Sequence, residues 1–239
     1  MLKPVKAQSL SNQVFEQLRN NILNKSYSPG ERLPSERELC VTLQANRGAI
    51  REALKRLEQA RLIEIRQGDG SIVLDFQFNA GFDMMADLLL SGDSVNYLAV
   101  RSIIEFRALI GVEVARLAAI RIEEPELIQI EEIVKKIKVS AKDNFDDFLE
   151  LDWEFHYTMA RASQNIAFLL MFNSVRDTYF KFRTFFTAVH THSRNEPEIY
   201  QEIFEVLKSH DPENAKRLCA EMIETGNNSF MALFPDQQE

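Results

Sequence analysis

Apolar residues recur at helical spacing along most of this chain, and the places where the spacing changes divide it. Val14, Leu18 and Ile22 stand at i, i+4 and i+8 and predict a first helix that starts at Ser9 or Ser11 and stops near Ser26, before Ser28-Pro29-Gly30. Ser35 with Glu38 three residues on has capping-box spacing, and Leu39, Val41 and Leu43 are the apolar contacts expected of a short second helix. Ala45 and Asn46 interrupt it. Asn46 caps a third helix whose Ile50, Leu54 and Leu57 fall at i, i+4 and i+7. The period then shortens: Leu62 to Arg66, Gln67-Gly68-Asp69-Gly70, and Ser71 to Leu74 read as strand, glycine turn, strand, a small wing.

Past the wing, residues 75–80 read as a linker and residues 81–90 as a short amphipathic helix broken by Ser91-Gly92-Asp93. Strand signals then nearly vanish. Helices are expected over roughly 94–121, 124–142, 144–163, 166–188, 196–209 and 212–232, and long helices on short connections make an antiparallel bundle. The expected fold is mainly α: a helix-turn-helix with a β-wing over residues 1–75, a linker at 76–80, and an all-helical domain over 81–239.

Charge sharpens this division. Residues 1–75 carry 12 Lys and Arg against 9 Asp and Glu, whereas the remainder carries 16 against 27. A basic head on an acidic body suits a head that meets a polyanion and a body repelled from it. The apolar fraction of 45% permits full cores, and no apolar run approaches membrane-spanning length, so no membrane partner is expected. Met1-Leu2-Lys3-Pro4 lacks a signal-peptide core and the two cysteines, Cys40 and Cys219, make neither a disulfide framework nor a zinc motif; a soluble cytoplasmic protein is expected.

The third predicted helix carries Arg47, Gly48 and Arg51 in its first two turns, off the apolar stripe. Cations there oppose the helix dipole. The placement makes sense when that end faces phosphates and base edges, where each guanidinium offers a fork to guanine O6 and N7. The run Pro29-Gly30, Leu33-Pro34-Ser35-Glu36-Arg37-Glu38-Leu39, Asn46-Arg47, Arg51-Glu52-Ala53-Leu54, Leu57, Leu62-Ile63 and Gly68 resembles the winged helix of the GntR family of bacterial transcriptional regulators. The resemblance implies double-stranded operator DNA as partner. Its expected contacts are Ser35, Arg37, Asn46, Arg47, Gly48, Arg51 and the wing tip Gln67-Gly68, with two heads of a homodimer on a short palindrome.

The helical part resembles the FadR-type ligand domain of the same family, through Arg101 and Glu105, Leu117-Ala118-Ala119, Asp152 to His156, Ala162 to Asn165, and Asp211-Pro212 with Ala215. The resemblance implies a small-molecule effector. Many members hold a metal with one Asp and three His; Asp152 and His156 match the first two, four residues apart on one helix face. The other two positions are Tyr200 and Met222, and a phenol and a thioether do not replace two imidazoles. No cofactor is therefore required, and a divalent metal on Asp152 and His156 stands as an incomplete alternative. Phe168, Phe172, Val175, Tyr179, Phe182 and Phe186 form one stripe that either packs the core or lines an acyl cavity. Arg101 is expected to contact the effector, to pair with Glu105, or to do both. The effector set is thus Arg101, Asp152, His156, Tyr179, Tyr200, Met222 and Ser229, for a fatty acid or acyl-CoA, or for a small organic acid held through a metal. An enzyme is not expected: there is no nucleophile motif and no phosphate loop.

Overall fold

The computed structural model describes residues 9–91, 94–140, 145–181 and 197–231, which fall into two compact units, one ending at Asn96 and the other starting at Tyr97. In the first, helix α1 (Leu10–Leu23) is capped by the Ser9 hydroxyl, and its stripe Val14, Leu18 and Ile22 is buried. α2 (Glu36–Thr42) starts with the full capping box, Ser35 Oγ accepting from the Glu38 amide while Glu38 accepts from the Ser35 amide at 2.8 Å. The Ser35 hydroxyl, which also donates to Glu38 Oε2 at 2.7 Å, and the Ser35 amide hold the Glu38 carboxyl below its ordinary value. Leu39 is buried and Leu43 half-buried, but Val41 is 75% exposed. The expected apolar contact at Val41 is therefore absent, because a 3.6-residue period that turns 39 and 43 inward turns 41 outward.

Gln44, at φ 49°, turns the chain, and Asn46 Oδ1 accepts from the Ala49 amide at 2.9 Å to cap α3 (Arg47–Gln59). α3 buries Ile50, Ala53, Leu54 and Leu57 against α1 and leaves Arg47, Gly48 and Arg51 exposed. β1 (Ile63–Arg66) and β2 (Gly70–Val73) pair antiparallel with Ile63 opposite Val73 and Arg66 opposite Gly70. Residues 30–33 run along the other side of β2, Leu33 donating to the Ser71 carbonyl and Val73 to the Glu31 carbonyl. An Arg32–Asp69 ion pair ties that segment to the wing turn, where Gly68 adopts φ +84°, a conformation that favours glycine.

The head does not end at the wing. Residues 76–79, read from the sequence as linker, form a helical turn, α4 (Phe76–Asn79), capped by Asp75. A 3₁₀ turn at Phe82–Met84 and α5 (Met85–Leu89) follow, and β3 (Leu90–Ser91) pairs with β4 (Ser94–Val95). Met84 is buried in the head's core, Phe76, Ala80 and Leu88 pack against that core, and Asp87 pairs with Arg19 of α1 at 2.9 Å. The expected boundary at 75–80 is thus displaced to Asn96, because the apolar face of residues 76–89 closes the head.

The second unit consists, among the described residues, of α6 (Tyr97–Arg121), α7 (Glu124–Ser140), α8 (Phe145–Ala162), α9 (Ile166–Lys181), α10 (Glu198–Lys208) and α11 (Pro212–Met231). Its core joins Val114, Ala115, Ala118 and Ala119 of α6 to residues of every other helix, with Phe168 and Phe172 of α9 half-buried at its edge. α6 and α11 pack closely at Gly111, where a β-carbon would collide with Ile223 Cδ1.

Candidate functional site

Each unit carries a cluster of candidate functional side chains. In the head all eight residues expected at DNA are exposed: Ser35, Arg37, Asn46, Arg47, Gly48, Arg51, Gln67 and Gly68. They are not equally free. The Ser35 hydroxyl is engaged with Glu38, and Asn46 Oδ1 is spent on its helix cap, which leaves the two N–H donors of Asn46 Nδ2 available. A β-carbon at Gly48 would press on Asn46 Oδ1 at 3.3 Å, so the glycine keeps the first turn of α3 low and open. Arg51 Nε donates to both oxygens of Glu36, at 3.1 and 2.9 Å. Arg37 and Arg47 have no ion pair among the described residues.

The second cluster is assembled from α6, α8, α9, α10 and α11. Asp152 on α8 is almost wholly buried, and both its oxygens are taken: Oδ1 accepts from Tyr200 Oη at 2.6 Å and Oδ2 from Tyr179 Oη at 2.5 Å. His156, one turn on, places Nε2 3.5 Å from Oδ1, an ion-pair distance, and that nitrogen makes no hydrogen bond among the described residues. Burial alone would raise the Asp152 carboxyl, but the nearby His156 ring and the two phenol donors outweigh it and hold the group well below the usual carboxylate range. Burial first, and then the Asp152 carboxylate, push both phenols well above their ordinary value, so they remain donors. Cys219 on α11 donates to the Gly111 carbonyl and is pushed up to about 12 by burial.

Among the described residues the set does not fit a divalent metal: both carboxylate oxygens are occupied by hydroxyl donors, one imidazole is at hand, and no group of three His, Cys, Asp or Glu side chains converges. His210 is engaged elsewhere, its Nδ1 2.8 Å from the Ala119 carbonyl, and His190 and His192 lie outside the described residues. The incomplete metal alternative on Asp152 and His156 gains no further ligand among the described residues, where the Tyr200 hydroxyl closes on the carboxylate.

Of the other expected effector residues, Met222 is buried in the same core as Tyr200. Arg101 is not: its side chain is 64% exposed and its Nε donates to Glu105 at 2.9 Å, the intrahelical pair. The side chain of Ser229 and residues Phe182 and Phe186 lie outside what is described, while Phe172 and Tyr179 of the aromatic stripe pack on Trp153 at 5.7 and 5.0 Å between ring centroids. A cleft of about 730 Å³ opens beside Trp153, Tyr157, Arg161, Arg176 and Phe180.

One residue escaped the sequence reading. Arg107, two turns along α6 from Arg101, sits half-buried with its guanidinium against the bare face of Gly226, and its charge acts on Tyr179, Tyr200 and Cys219. It has no carboxylate partner among the described residues. Its signal was a lone cation inside the apolar run Phe106-Arg107-Ala108-Leu109-Ile110.

A family described as "Bacterial regulatory proteins, gntR family" matches residues 10–73, and the FCD domain matches residues 102–225, more than half the chain. The HTH-type transcriptional regulator Mce2R of Mycobacterium tuberculosis is 35% identical over 241 residues, covering 99% of this chain and 98% of that one. The chain belongs to the GntR family. Further relatives of this GntR protein include the HTH-type transcriptional repressor NanR of Escherichia coli, 27% identical over 90% of this chain and 82% of that one. Among solved structures, Streptococcus agalactiae GntR shares 25% identity at a TM-score of 0.50, covering 92% of this chain and 99% of that one. A protein described as Lar, which controls expression of the Listeria monocytogenes agr system, shares the fold at a TM-score of 0.60 and 14% identity, covering 96% of this chain and 100% of that one. The GntR protein is therefore a ligand-responsive transcriptional regulator, with a DNA-binding head and an FCD effector domain, and not an enzyme. No helix among its described residues is long and apolar enough to cross a membrane.

Proposed function

We propose that this regulator acts in the cytoplasm as a FadR-type sensor, a homodimer that sets two α3 helices on a short palindrome and changes its hold on DNA when a fatty acid or its CoA thioester enters the bundle. The observation that carries the effector reading is Arg107: a half-buried guanidinium with no carboxylate partner among the described residues, beside the buried phenols of Tyr179 and Tyr200. A guanidinium so placed suits the carboxylate or phosphate of a ligand. Both oxygens of Asp152 already accept from hydroxyl donors, so a metal-chelating hydroxy acid has no open carboxylate oxygen to bridge to. Buried Met222, Phe155 and Tyr200 supply the apolar surroundings an acyl chain prefers. The two-headed reading rests on size: one recognition helix contacts too few base pairs for tight selection. By linkage, an effector that weakens DNA binding tenfold binds the DNA-bound form tenfold less tightly, about 1.4 kcal/mol of coupling.

Native mass spectrometry of freshly purified protein tests this. The expected spectrum is a dimer carrying fatty acid or acyl-CoA masses that are lost in Arg107→Ala. A dimer with one zinc- or nickel-sized adduct per chain would overturn the effector reading, and a bare monomer the palindrome reading.

A further inference from the structure

The head treats its exposed arginines in two ways. Arg37 and Arg47 carry no ion pair among the described residues, whereas Arg51 is tied across the helix-turn-helix to Glu36 at the first position of α2. The tie has a particular geometry. Both hydrogen bonds run from Nε, at 3.1 Å to Oε1 and 2.9 Å to Oε2. A guanidinium has five N–H donors: one on Nε and four on the two Nη atoms. Glu36 takes the first and leaves the four that form the outer fork. That fork is the part that pairs with O6 and N7 of a guanine.

A free arginine on a helix surface loses much rotamer freedom when it reads a base, and it pairs equally well with any phosphate in reach. An arginine fixed through Nε has already lost that freedom, and its fork is held at a set angle to the helix. Glu36 has a second effect. A carboxylate at a DNA-facing surface repels phosphates, so it lowers affinity for every sequence alike. Stability gives little reason to keep the pair, because both side chains are largely exposed, 65% for Arg51 and 41% for Glu36. Exposed ion pairs of this kind contribute little to folding.

We infer that Glu36 is a specificity-determining residue that acts through Arg51: it presents the Arg51 fork to one base pair and penalises binding to arbitrary DNA. The inference rests on the reading of α3 as the recognition helix. Arg37 and Arg47, with no such support, keep their rotamer freedom until DNA is bound.

The probes are a duplex enriched from a random pool by the full-length wild-type protein and a shuffled duplex of the same composition. The quantity measured is the ratio of affinities for the two at fixed salt, for wild type, Glu36→Gln, Glu36→Ala, Arg51→Ala and the Glu36→Ala/Arg51→Ala double variant, each checked for unchanged thermal unfolding. Glu36→Ala is expected to cut the ratio about fivefold or more, the discrimination of one bidentate contact. Its affinity for shuffled DNA should rise. Glu36→Gln, whose amide oxygen still accepts from Nε, should keep part of the ratio, and the double variant should match Arg51→Ala. Equal change on both duplexes in Glu36→Ala, or a further loss of ratio in the double variant beyond Arg51→Ala, would overturn the role of Glu36. An undiminished ratio in Arg51→Ala would overturn the recognition-helix reading and the inference with it.

Discussion

The two clusters of this regulator handle charge in opposite ways. In the head, Arg37, Arg47 and Arg51 stand in water, where charge costs little to keep and acts over a screened distance set by salt. In the bundle, Asp152 and Arg107 are partly withdrawn from water, where a charge must be met by specific neighbours. Asp152 is met twice, by Tyr179 and Tyr200; Arg107 lies against Gly226 and near those same phenols. An exposed set of cations suits a polyanion that is present everywhere and must be released. A half-buried cation with no carboxylate partner among the described residues suits one small anion that is admitted rarely and held firmly.

The contrast is broken most severely at the head. Arg47→Ala with Arg51→Ala should abolish operator recognition while the fold persists. Two bidentate contacts at about 1–3 kcal/mol each make a loss of at least about thirtyfold, read by gel shift, and full-strength binding by the double variant would remove α3 as the reading element. In the bundle, Arg107→Ala should weaken fatty-acid binding by about tenfold or more, the worth of a charge-assisted hydrogen bond. Calorimetry checks it. The matching change Arg101→Ala should leave effector affinity where it was, since that side chain is exposed and paired with Glu105.

Asp152→Asn sharpens the comparison in stability. An amide oxygen accepts at one position only, so one buried phenol loses its acceptor, at a cost of about 1–3 kcal/mol seen in urea unfolding. The effect has a pH signature. Because the folded-state pKa of Asp152 is depressed, its contribution is present above the unfolded value of about 4 and is lost as pH falls through the folded value. The gap between wild type and Asp152→Asn should therefore narrow in acid; a gap that grows below pH of about 4 would contradict the clamp. The smallest effect concerns thiols. Cys219, buried and pushed up to about 12, should resist a thiol reagent until the protein is unfolded, while half-buried Cys40 reacts first. Labelling by mass spectrometry decides it.

Legibility differs between the clusters for a physical reason. The head's site is made from one continuous stretch, Ser35 to Gly68, so capping, helical period and glycine turn each mark it locally. The stripe of α3 and the capping box at Ser35 were readable residue by residue. Helix limits near Pro125, Gln164 and Asp211-Pro212 were also readable, because those residues punctuate the bundle; the expected ends at 142, 188 and 232 lie outside the described residues. The bundle's cluster was readable only in part. Asp152, Tyr179, Tyr200 and Cys219 come from four helices, and which face of each turns inward depends on packing against the others. Periodicity could not choose between Arg101 and Arg107, both on α6, because that helix is apolar nearly all round. Nor could it see that Tyr200 would turn its hydroxyl to Asp152. The boundary of the head was missed because the buried side of residues 76–89 is supplied by the head's own core.

That boundary bears on any attempt to transplant the DNA-reading part onto a different sensor. A graft cut after Asp75, where the wing ends and the family likeness stops, would strip away Met84, which lies in the head's core, along with Asp87, the partner of Arg19. The transferred piece would carry an open apolar seam and would clump before it ever met DNA. The portable module runs through Asn96.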